Sequence, residues 1–221
     1  MKVSHIIAKC FIVSIGVVCV SLQSCKDLLG SIYDEPVQTD EYGFIQSEGN
    51  QGIIYIDATD YSEWTYIDFD NRKITPVQIS DSAIEPDTWD MAVHRYDVKT
   101  NGGTVAETNC KNITSLKDIQ ELQDGSFVAD EWSEVAVDMS DMINGNIIYS
   151  DSYVNKILSR WLSVDIGTMP PIYELSGNCY VLKLAGNTMV ALKLRDFISA
   201  SGDKGYLTIE YICPFEWNRG K

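Results

Sequence analysis

Residues 179–194, CYVLKLAGNTMVALKL, give the clearest indication of the fold. The two halves, YVLKL and VALKL, are nearly the same and contain the β-branched and aliphatic residues that strands favour. Between them lies Gly186-Asn187, a pair suited to a tight turn that needs positive φ. The segment therefore predicts a β-hairpin and, with it, an antiparallel sheet.

Much of the remaining chain is also predicted to form strands. These segments are GIIYID (52–57), WTYIDF (64–69), TWDMAVHRYDV (88–98), EVAVDM (134–139), NIIYS (146–150) and GYLTIEYIC (205–213). Apolar residues at helical spacing predict a helix at 152–162, and residues 113–123 are predicted to form a second helix or a loop. We therefore expect a mainly β fold: one antiparallel β-rich domain over residues 51–221 with one or two short helices.

The N-terminus has the features of a bacterial lipoprotein signal. Residues 1–10 carry two lysines and no acid, and an apolar run of signal-peptide length follows at 11–22. Leu22-Gln23-Ser24-Cys25 resembles the lipobox, in which cleavage precedes the cysteine and its sulfur receives a diacylglycerol. We expect residues 1–24 to be a signal peptide and the lipidated Cys25 to hold the protein on a membrane. The alternative is an ordinary secretory signal with a chance cysteine.

The residues after Cys25 predict a tether and a location. Residues 26–50 are polar and acidic with little periodicity, so we expect 25–50 to be a flexible tether that starts at the lipidated cysteine. The pair Lys26-Asp27 is loosely similar to signals for export to the outer cell surface in some Gram-negative bacteria. We therefore expect an outer-membrane lipoprotein that faces the cell surface.

The charge of the chain excludes one class of partner. The net charge is −15, and without residues 1–24 it is −17, since 15 basic and 32 acidic residues remain. Nucleic acids and anionic lipid surfaces are bound through basic patches. We therefore expect no nucleic-acid partner, and contact with the membrane through the lipid anchor alone.

Few residues suggest catalysis. After cleavage the only histidine is His94, in the middle of a predicted strand, where we expect a hydrogen-bonded structural role. The sequence has no GxSxG, HExxH or Gly-rich phosphate loop, and no CxxC pair for zinc. Cys110, Cys179 and Cys213 allow one disulfide and leave one odd thiol. We therefore expect a protein that is not an enzyme.

Residues 88–104, TWDMAVHRYDVKTNGGT, closely resemble the hallmark segment of the HmuY-like haem-binding lipoproteins, or haemophores. The resemblance extends from about residue 50 to 217. It includes the WTYIDF strand upstream, Trp161-Leu162, the Pro170-Pro171-Ile172-Tyr173 segment, the 179–194 hairpin and the closing aromatic strand. This family implies a hand-like, all-β fold in which two loops hold one haem.

The resemblance also suggests the axial ligands. Two histidines serve in the best-known member, but the single mature histidine here matches the structural position of the HRYD motif. Other members use two methionines. The candidates are Met91, Met139, Met142, Met169 and Met189. Met91, Met139 and Met189 belong to predicted strands, whereas Met142 and Met169 fall where the family's ligand loops fall, so we expect these two to bind the haem iron.

The expected function is therefore haem capture at the cell surface and delivery to an outer-membrane haem receptor. Host haemoproteins are the expected source of the haem. The protein is also expected to form homo-oligomers that depend on haem. Trp64, Tyr66 and Tyr173 are candidates for the walls of the haem pocket, because a flat apolar ring needs aromatic contacts. The alternative function is a glycan-binding or adhesive surface lipoprotein, in which exposed tryptophans stack on sugars.

Overall fold

The computed structural model describes residues 41–118, 126–168 and 170–217, most of which lie in antiparallel strands. The strands are β1 (Gly43–Glu48), β2 (Gln51–Asp57), β3 (Glu63–Asp68), β4 (Lys73–Gln78), β5 (Met91–His94), β6 (Asp97–Thr100), β7 (Thr104–Glu107), β8 (Val128–Ala129), β9 (Glu131–Asp141), β10 (Asn146–Val154), β11 (Leu162–Asp165), β12 (Ile172–Leu175), β13 (Tyr180–Lys183), β14 (Met189–Ile198) and β15 (Lys204–Ile212). Short 3-10 helices lie at Ile113–Asp118, Met142–Asn144 and Leu158–Trp161. The prediction of a mainly β, antiparallel domain is confirmed.

Two sheets form the body. One has seven strands in the order β1-β2-β15-β14-β13-β7-β8, and the other has four in the order β4-β3-β5-β6. Both sheets contribute to one buried apolar cluster, which includes Ile54 and Ile209 of the first and Ile67 and Met91 of the second. Burial of these side chains removes apolar surface from water, at roughly 25 cal/mol per Å², so this cluster is what holds the sheets together.

Two further pairs of strands complete the fold, and each is a sheet of its own. We call β9–β10 the first ribbon and β11–β12 the second ribbon. Residues 155–161, which we call the connector, join them. Asn155, Leu158 and Trp161 of the connector are all fully buried, so both ribbons start from a part of the chain that is fixed in the body.

The 179–194 hairpin forms as predicted. Lys183 pairs with Met189, and the turn between them is closed by backbone hydrogen bonds between Leu184 and Thr188 and between Asn187 and Leu184. Asn187 adopts φ 65°, in the left-handed region that asparagine tolerates. The positive φ therefore falls on Asn187 alone and not on Gly186.

The predicted single strand at 88–98 is wrong, because the chain reverses in the middle of it. Residues Met91–His94 and Asp97–Thr100 form a hairpin in which His94 pairs with Asp97. Arg95 makes this reversal with φ 55° and is held there by a hydrogen bond from its Nη1 to the carbonyl of Ala58, 2.7 Å away. The apolar alternation continues through the turn, which is why the sequence pattern does not reveal it.

The predicted helix at 152–162 is also wrong over most of its length. Strand β10 continues to Val154, and only Leu158–Trp161 is helical, as a 3-10 turn. The side chain of Asn155 breaks the pattern: it accepts a hydrogen bond from the backbone of Leu158 and donates to Val128 and Asp130. In the 113–123 segment, Ile113–Asp118 is a 3-10 helix, while residues 119–125 lie outside the described residues.

The folded domain begins earlier than residue 51. Strand β1 starts at Gly43 and pairs with β2, so the prediction of a tether is wrong for residues 43–48. The strand was missed because its solvent side is polar: Gln46, Ser47 and Glu48 alternate poorly with apolar residues. The predicted signal peptide, Cys25 and the rest of the tether up to residue 40 lie outside the described residues.

Candidate functional site

Met142 lies in the turn at the free end of the first ribbon. Met142–Asn144 form one 3-10 turn, and Gly145, at φ 83°, closes it with a hydrogen bond from its N–H to the carbonyl of Met142, 2.9 Å away. The carboxylate of Asp141 accepts hydrogen bonds from the side chains of Asn144 and Asn146, which lower its pKa. These contacts hold the backbone on both sides of Met142 in place.

The environment of Met142 differs from that of the strand methionines. Met91 is fully buried in the central cluster, and Met189 packs against a second cluster, so both have the packing role expected for methionine. Met142 and Met139 belong to none of the three apolar clusters found among the described residues, and both are partly exposed. Met142 is therefore available to a ligand at the end of the ribbon.

The free end of the second ribbon is the loop of residues 166–171. Asp165 pairs with Ile172 at its base, and the carboxylate of Asp165 accepts a hydrogen bond from the N–H of Gly167, 2.8 Å away. Thr168 donates to the carbonyl of Pro170 at 3.1 Å. Met169, the second predicted iron ligand, lies outside the described residues.

Each ribbon end exposes a large apolar residue: Ile143 follows Met142 directly, and Ile166 precedes position 169 by three residues. Ile143 is 92% exposed and Ile166 is 71% exposed. Exposed apolar side chains are normal when scattered singly, whereas a contiguous exposed apolar patch marks a binding surface. Each ribbon end contributes one such side chain.

Contacts at the connector fix where the ribbons leave the body. The indole Nε1 of Trp161 donates to the carbonyl of Tyr96, 2.9 Å away, and the N–H of Asn155 donates to the carbonyl of Val98, 2.7 Å away. Tyr96 and Val98 belong to the HRYD hairpin, so this hairpin supports the connector directly. The hallmark segment thus has a structural role at the base of both ribbons.

His94 is not positioned to bind a ligand. It is 1% exposed, and its Nε2 lies 2.7 Å from the carbonyl of Tyr61, which requires Nε2 to carry the proton. Its Nδ1 is buried without a partner, and burial lowers the pKa of the ring, so the imidazole stays neutral. The expected structural role of His94 agrees with this geometry.

Trp64 and Tyr66, two of the predicted wall residues, line a cleft elsewhere. This aromatic cleft has a volume of about 880 Å³ and lies between the four-stranded sheet and the first ribbon. Its floor contains Trp64, Tyr66 and Trp89, and its outer wall contains Trp132 and Tyr153 of the ribbon. Met142 is not among the residues that line it, so these two predicted walls and Met142 are not brought together.

Lys99 occupies the floor of the aromatic cleft. Its Nζ lies 4.9 Å, 4.7 Å and 5.3 Å from the ring centroids of Trp64, Tyr66 and Trp89. The same atom is 2.7 Å from Glu85 and from the hydroxyl of Tyr66, and burial together with Glu85 raises the pKa of that hydroxyl. The ring faces and the carboxylate of Glu85 together offset the cost of burying the charged ammonium group. Sequence inspection missed Lys99 because nothing in a VKT tripeptide indicates an aromatic environment.

Tyr173, the third predicted wall residue, lies in β12 of the second ribbon, where it pairs with Val164, one pair from the free end. Its ring stacks on Phe197 of β14, and Lys204 Nζ lies 4.1 Å from the centre of the Tyr173 ring. Tyr173 is half-buried, and this burial raises the pKa of its hydroxyl. The residue therefore attaches the second ribbon to the seven-stranded sheet.

The described residues contain no group of three or more His, Cys, Asp or Glu side chains arranged to hold a metal ion. Thioethers are soft, neutral ligands, and methionine is an established axial ligand of haem iron. Met142, a thioether at the end of the first ribbon, is a side chain that could serve as an axial ligand to an iron held by a porphyrin. In the part of the chain that is described, no helix is both long enough and apolar enough to span a bilayer.

Known proteins similar to this chain share its fold. The HmuY protein family model matches residues 60–211. A Bacteroides vulgatus protein described as HmuY-like and heme-binding is 48% identical, with a TM-score of 0.74, over 80% of this chain and 100% of that one. A Bacteroides fragilis protein described as a lipoprotein is 43% identical, with a TM-score of 0.75, over 82% and 100%. The apo HmuY analog of Tannerella forsythia, 20% identical with a TM-score of 0.62 over 78% and 100%, shares the fold. No protein with a curated description matched the chain.

Proposed function

Because the chain belongs to the HmuY family, we propose that it is a cell-surface lipoprotein that captures haem between the ends of its two ribbons, with Met142 and Met169 as axial ligands. The captured haem passes to an outer-membrane haem receptor. Host haemoproteins are the source. The observation that carries the proposal is the turn at the end of the first ribbon, where the partly exposed Met142 is followed by Ile143, 92% exposed.

Ligation of haem iron by two methionines predicts how haem affinity depends on pH and on the redox state. A thioether carries no proton at any relevant pH, so haem binding by Met142 and Met169 does not compete with protons, whereas histidine must lose a proton to bind. Thioethers also favour ferrous over ferric iron, because methionine ligation raises the haem potential. We therefore expect haem affinity to be higher under reducing conditions and nearly constant between about pH 5.5 and 7.5.

The main experiment is a spectral titration of the protein with haem, with and without dithionite. The wild-type chain is expected to shift the Soret band and to bind more tightly after reduction. The variant Met142→Ala combined with Met169→Ala is expected to lose the shift. Met139→Ala is the matched control, since Met139 is a partly exposed methionine on the same ribbon and is expected to bind as the wild type does. Equal affinity in both redox states, or loss of binding in the control alone, contradicts the assignment.

The lipoprotein part of the proposal rests on Cys25. Metabolic labelling with a palmitate analogue is expected to label the wild-type protein and not Cys25→Ser. Protease treatment of intact cells is expected to degrade the labelled protein, because it faces outward. A labelled protein that resists the protease in intact cells contradicts the surface location. This outcome does not bear on haem binding.

A second candidate function is binding of a glycan in the aromatic cleft. The specific observation is that Trp132, 62% exposed, packs edge-to-face on Tyr153, 56% exposed, at a centroid separation of 4.9 Å. Asp81 and Asp151 also line the cleft, and carboxylates beside exposed rings suit sugar hydroxyls stacked on an aromatic face. A glycan array probed with wild type and Trp132→Ala tests it, and Trp132→Ala is expected to retain the haem spectrum.

A further inference from the structure

Two of the cysteine thiols lie next to each other in the body of the domain. Cys179 is fully buried just before β13, and Cys110 packs against the apolar cluster that contains it. Among the described residues the free thiols are Cys110, Cys179 and Cys213. We propose that Cys110 and Cys179 form a disulfide when the chain folds in an oxidising compartment, and that Cys213 remains a thiol. This inference does not depend on haem binding.

The backbone brings the two cysteines within reach of a disulfide. The N–H of Cys179 donates to the carbonyl of Cys110, 2.8 Å away, and the N–H of Thr108 donates to the carbonyl of Cys179, 3.0 Å away. Standard bond lengths on either side of the first hydrogen bond place the two Cα atoms no more than about 7 Å apart. A disulfide spans Cα separations up to about that value without backbone movement.

The side chains face each other as well. The Cys110 side chain packs against the apolar cluster that contains Cys179, and its Sγ lies 3.0 Å from the carbonyl of Asn112. Cys213 lies in another environment: it packs against the central cluster, and its N–H donates to the carbonyl of Asn50, 2.6 Å away. Cys110 is therefore the partner that the fold offers to Cys179, and Cys213 is a matched control.

The chemistry is thiol–disulfide exchange with an organic disulfide as the oxidant. The Cys110 thiolate attacks one sulfur of the oxidant, releases one thiol and forms a mixed disulfide. The Cys179 thiolate then attacks the Cys110 sulfur and releases the second thiol. The two cysteines lose two protons and two electrons in all, and the oxidant disulfide becomes two thiols.

Burial decides when this reaction occurs. The pKa of Cys179 is raised to about 12, chiefly by burial, so the folded chain holds very little of its thiolate. Cys110 is partly exposed. Exchange is therefore fast while the chain is unfolded or partly folded and slow once Cys179 is enclosed, which makes the disulfide a product of folding in the presence of the oxidant.

The test uses the full chain, refolded from denaturant with either oxidised or reduced glutathione. After alkylation and trypsin digestion, Cys110, Cys179 and Cys213 fall in different peptides, residues 100–111, 161–183 and 205–219. The oxidised sample is expected to contain 100–111 linked to 161–183, with 205–219 alkylated. The linked pair is expected to form more slowly when glutathione is added to protein that is already folded.

Thermal unfolding provides the second measurement. Oxidised wild type and Cys213→Ser are expected to unfold about 4 °C or more above their reduced forms, since a disulfide that closes a long loop stabilises a domain of this size. Cys110→Ser, a change at a partly exposed position, is expected to show no difference between the two conditions. Absence of the linked peptides after oxidative refolding, or a link that includes 205–219, overturns the proposal.

Discussion

The ring of Tyr173 lies nearly parallel to that of Phe197, with 5.3 Å between the ring centroids, and this contact joins the second ribbon to the seven-stranded sheet. Tyr173→Ala removes the stacked pair and is expected to lower the free energy of unfolding by about 1–3 kcal/mol. The same change is expected to weaken haem binding, because the loop of residues 166–171 loses its support. Tyr173→Phe keeps the ring and is the control for both measurements, and a haem affinity equal to that of the wild type in Tyr173→Ala argues against this supporting role.

The connector leads to a second prediction. Trp161→Phe removes the hydrogen bond to the carbonyl of Tyr96 and leaves space in a fully buried site. We expect the free energy of unfolding to fall by about 2–4 kcal/mol, from the unpaired carbonyl and the cavity together. Urea denaturation measures this loss. Trp132→Phe, at the exposed tryptophan of the first ribbon, should change stability by less than about 0.5 kcal/mol, and equal losses in the two variants would falsify the assignment.

A third prediction concerns Gly103, in the turn between β6 and β7. A Cβ at this position would lie 2.9 Å from the carbonyl oxygen of Lys183, so Gly103→Ala forces the backbones of β7 and β13 apart. We expect a loss of about 1–3 kcal/mol in the free energy of unfolding. Gly186→Ala is the matched control, because no atom lies within 4 Å of its added Cβ. Its stability should equal or slightly exceed that of the wild type.

Asp97 gives a prediction about pH. Burial raises the pKa of this carboxyl from about 3.8 to about 6, so the folded chain binds its proton more tightly than the unfolded chain does. The contribution of Asp97 to the free energy of unfolding therefore rises as the pH falls from about 6 towards 4. Above pH 6 the carboxyl is ionised in the folded chain, which lowers the free energy of unfolding by up to about 3 kcal/mol. Asp97→Asn is expected to be more stable than the wild type at pH 7 and to lose this advantage at pH 4.

His94, in the same hairpin as Asp97, also makes the stability depend on pH. Burial lowers the pKa of His94, so the folded chain resists its protonation and stability falls as the pH drops below about 6.5. His94 is present in both wild type and Asp97→Asn, and its contribution cancels when their unfolding free energies are subtracted at each pH. A difference between the two proteins that does not change from pH 7 to pH 4 contradicts the assignment to Asp97.

The strands of the body were predictable because they are short runs of β-branched and aliphatic residues bounded by turn residues. The 179–194 hairpin buries both of its faces: Tyr180 and Leu182 belong to the central cluster and Val181 to a second one. The turn at Arg95 was not predictable, since arginine is rare at positive φ and is held there by donating a hydrogen bond to the carbonyl of Ala58, 37 positions earlier in the chain. The strand end at Val154 was hidden for a similar reason: the contacts of Asn155 with Val128 and Asp130 overrule a helical pattern.

The candidate site was predictable in part. The positions of Met142 and Met169 came from the family resemblance, and Met142 lies in a turn at a ribbon end as that resemblance implies. Trp64, Tyr66 and Tyr173 were predicted to line the haem pocket only because they are aromatic. Aromatic character does not indicate on which side of a sheet a cavity lies. Trp64 and Tyr66 belong to a cleft that Lys99 also lines, and Tyr173 lies in the second ribbon, stacked on Phe197.

The buried connector has a consequence for how this protein evolves. Because Asn155, Leu158 and Trp161 set the directions in which both ribbons leave the body, selection for tighter or weaker ligand capture acts on interior positions as well as on the exposed loops. A library screened for altered affinity should return substitutions in residues 155–161 that touch no ligand. Relatives with the same loop sequences and different interiors would then differ in the ligands they retain.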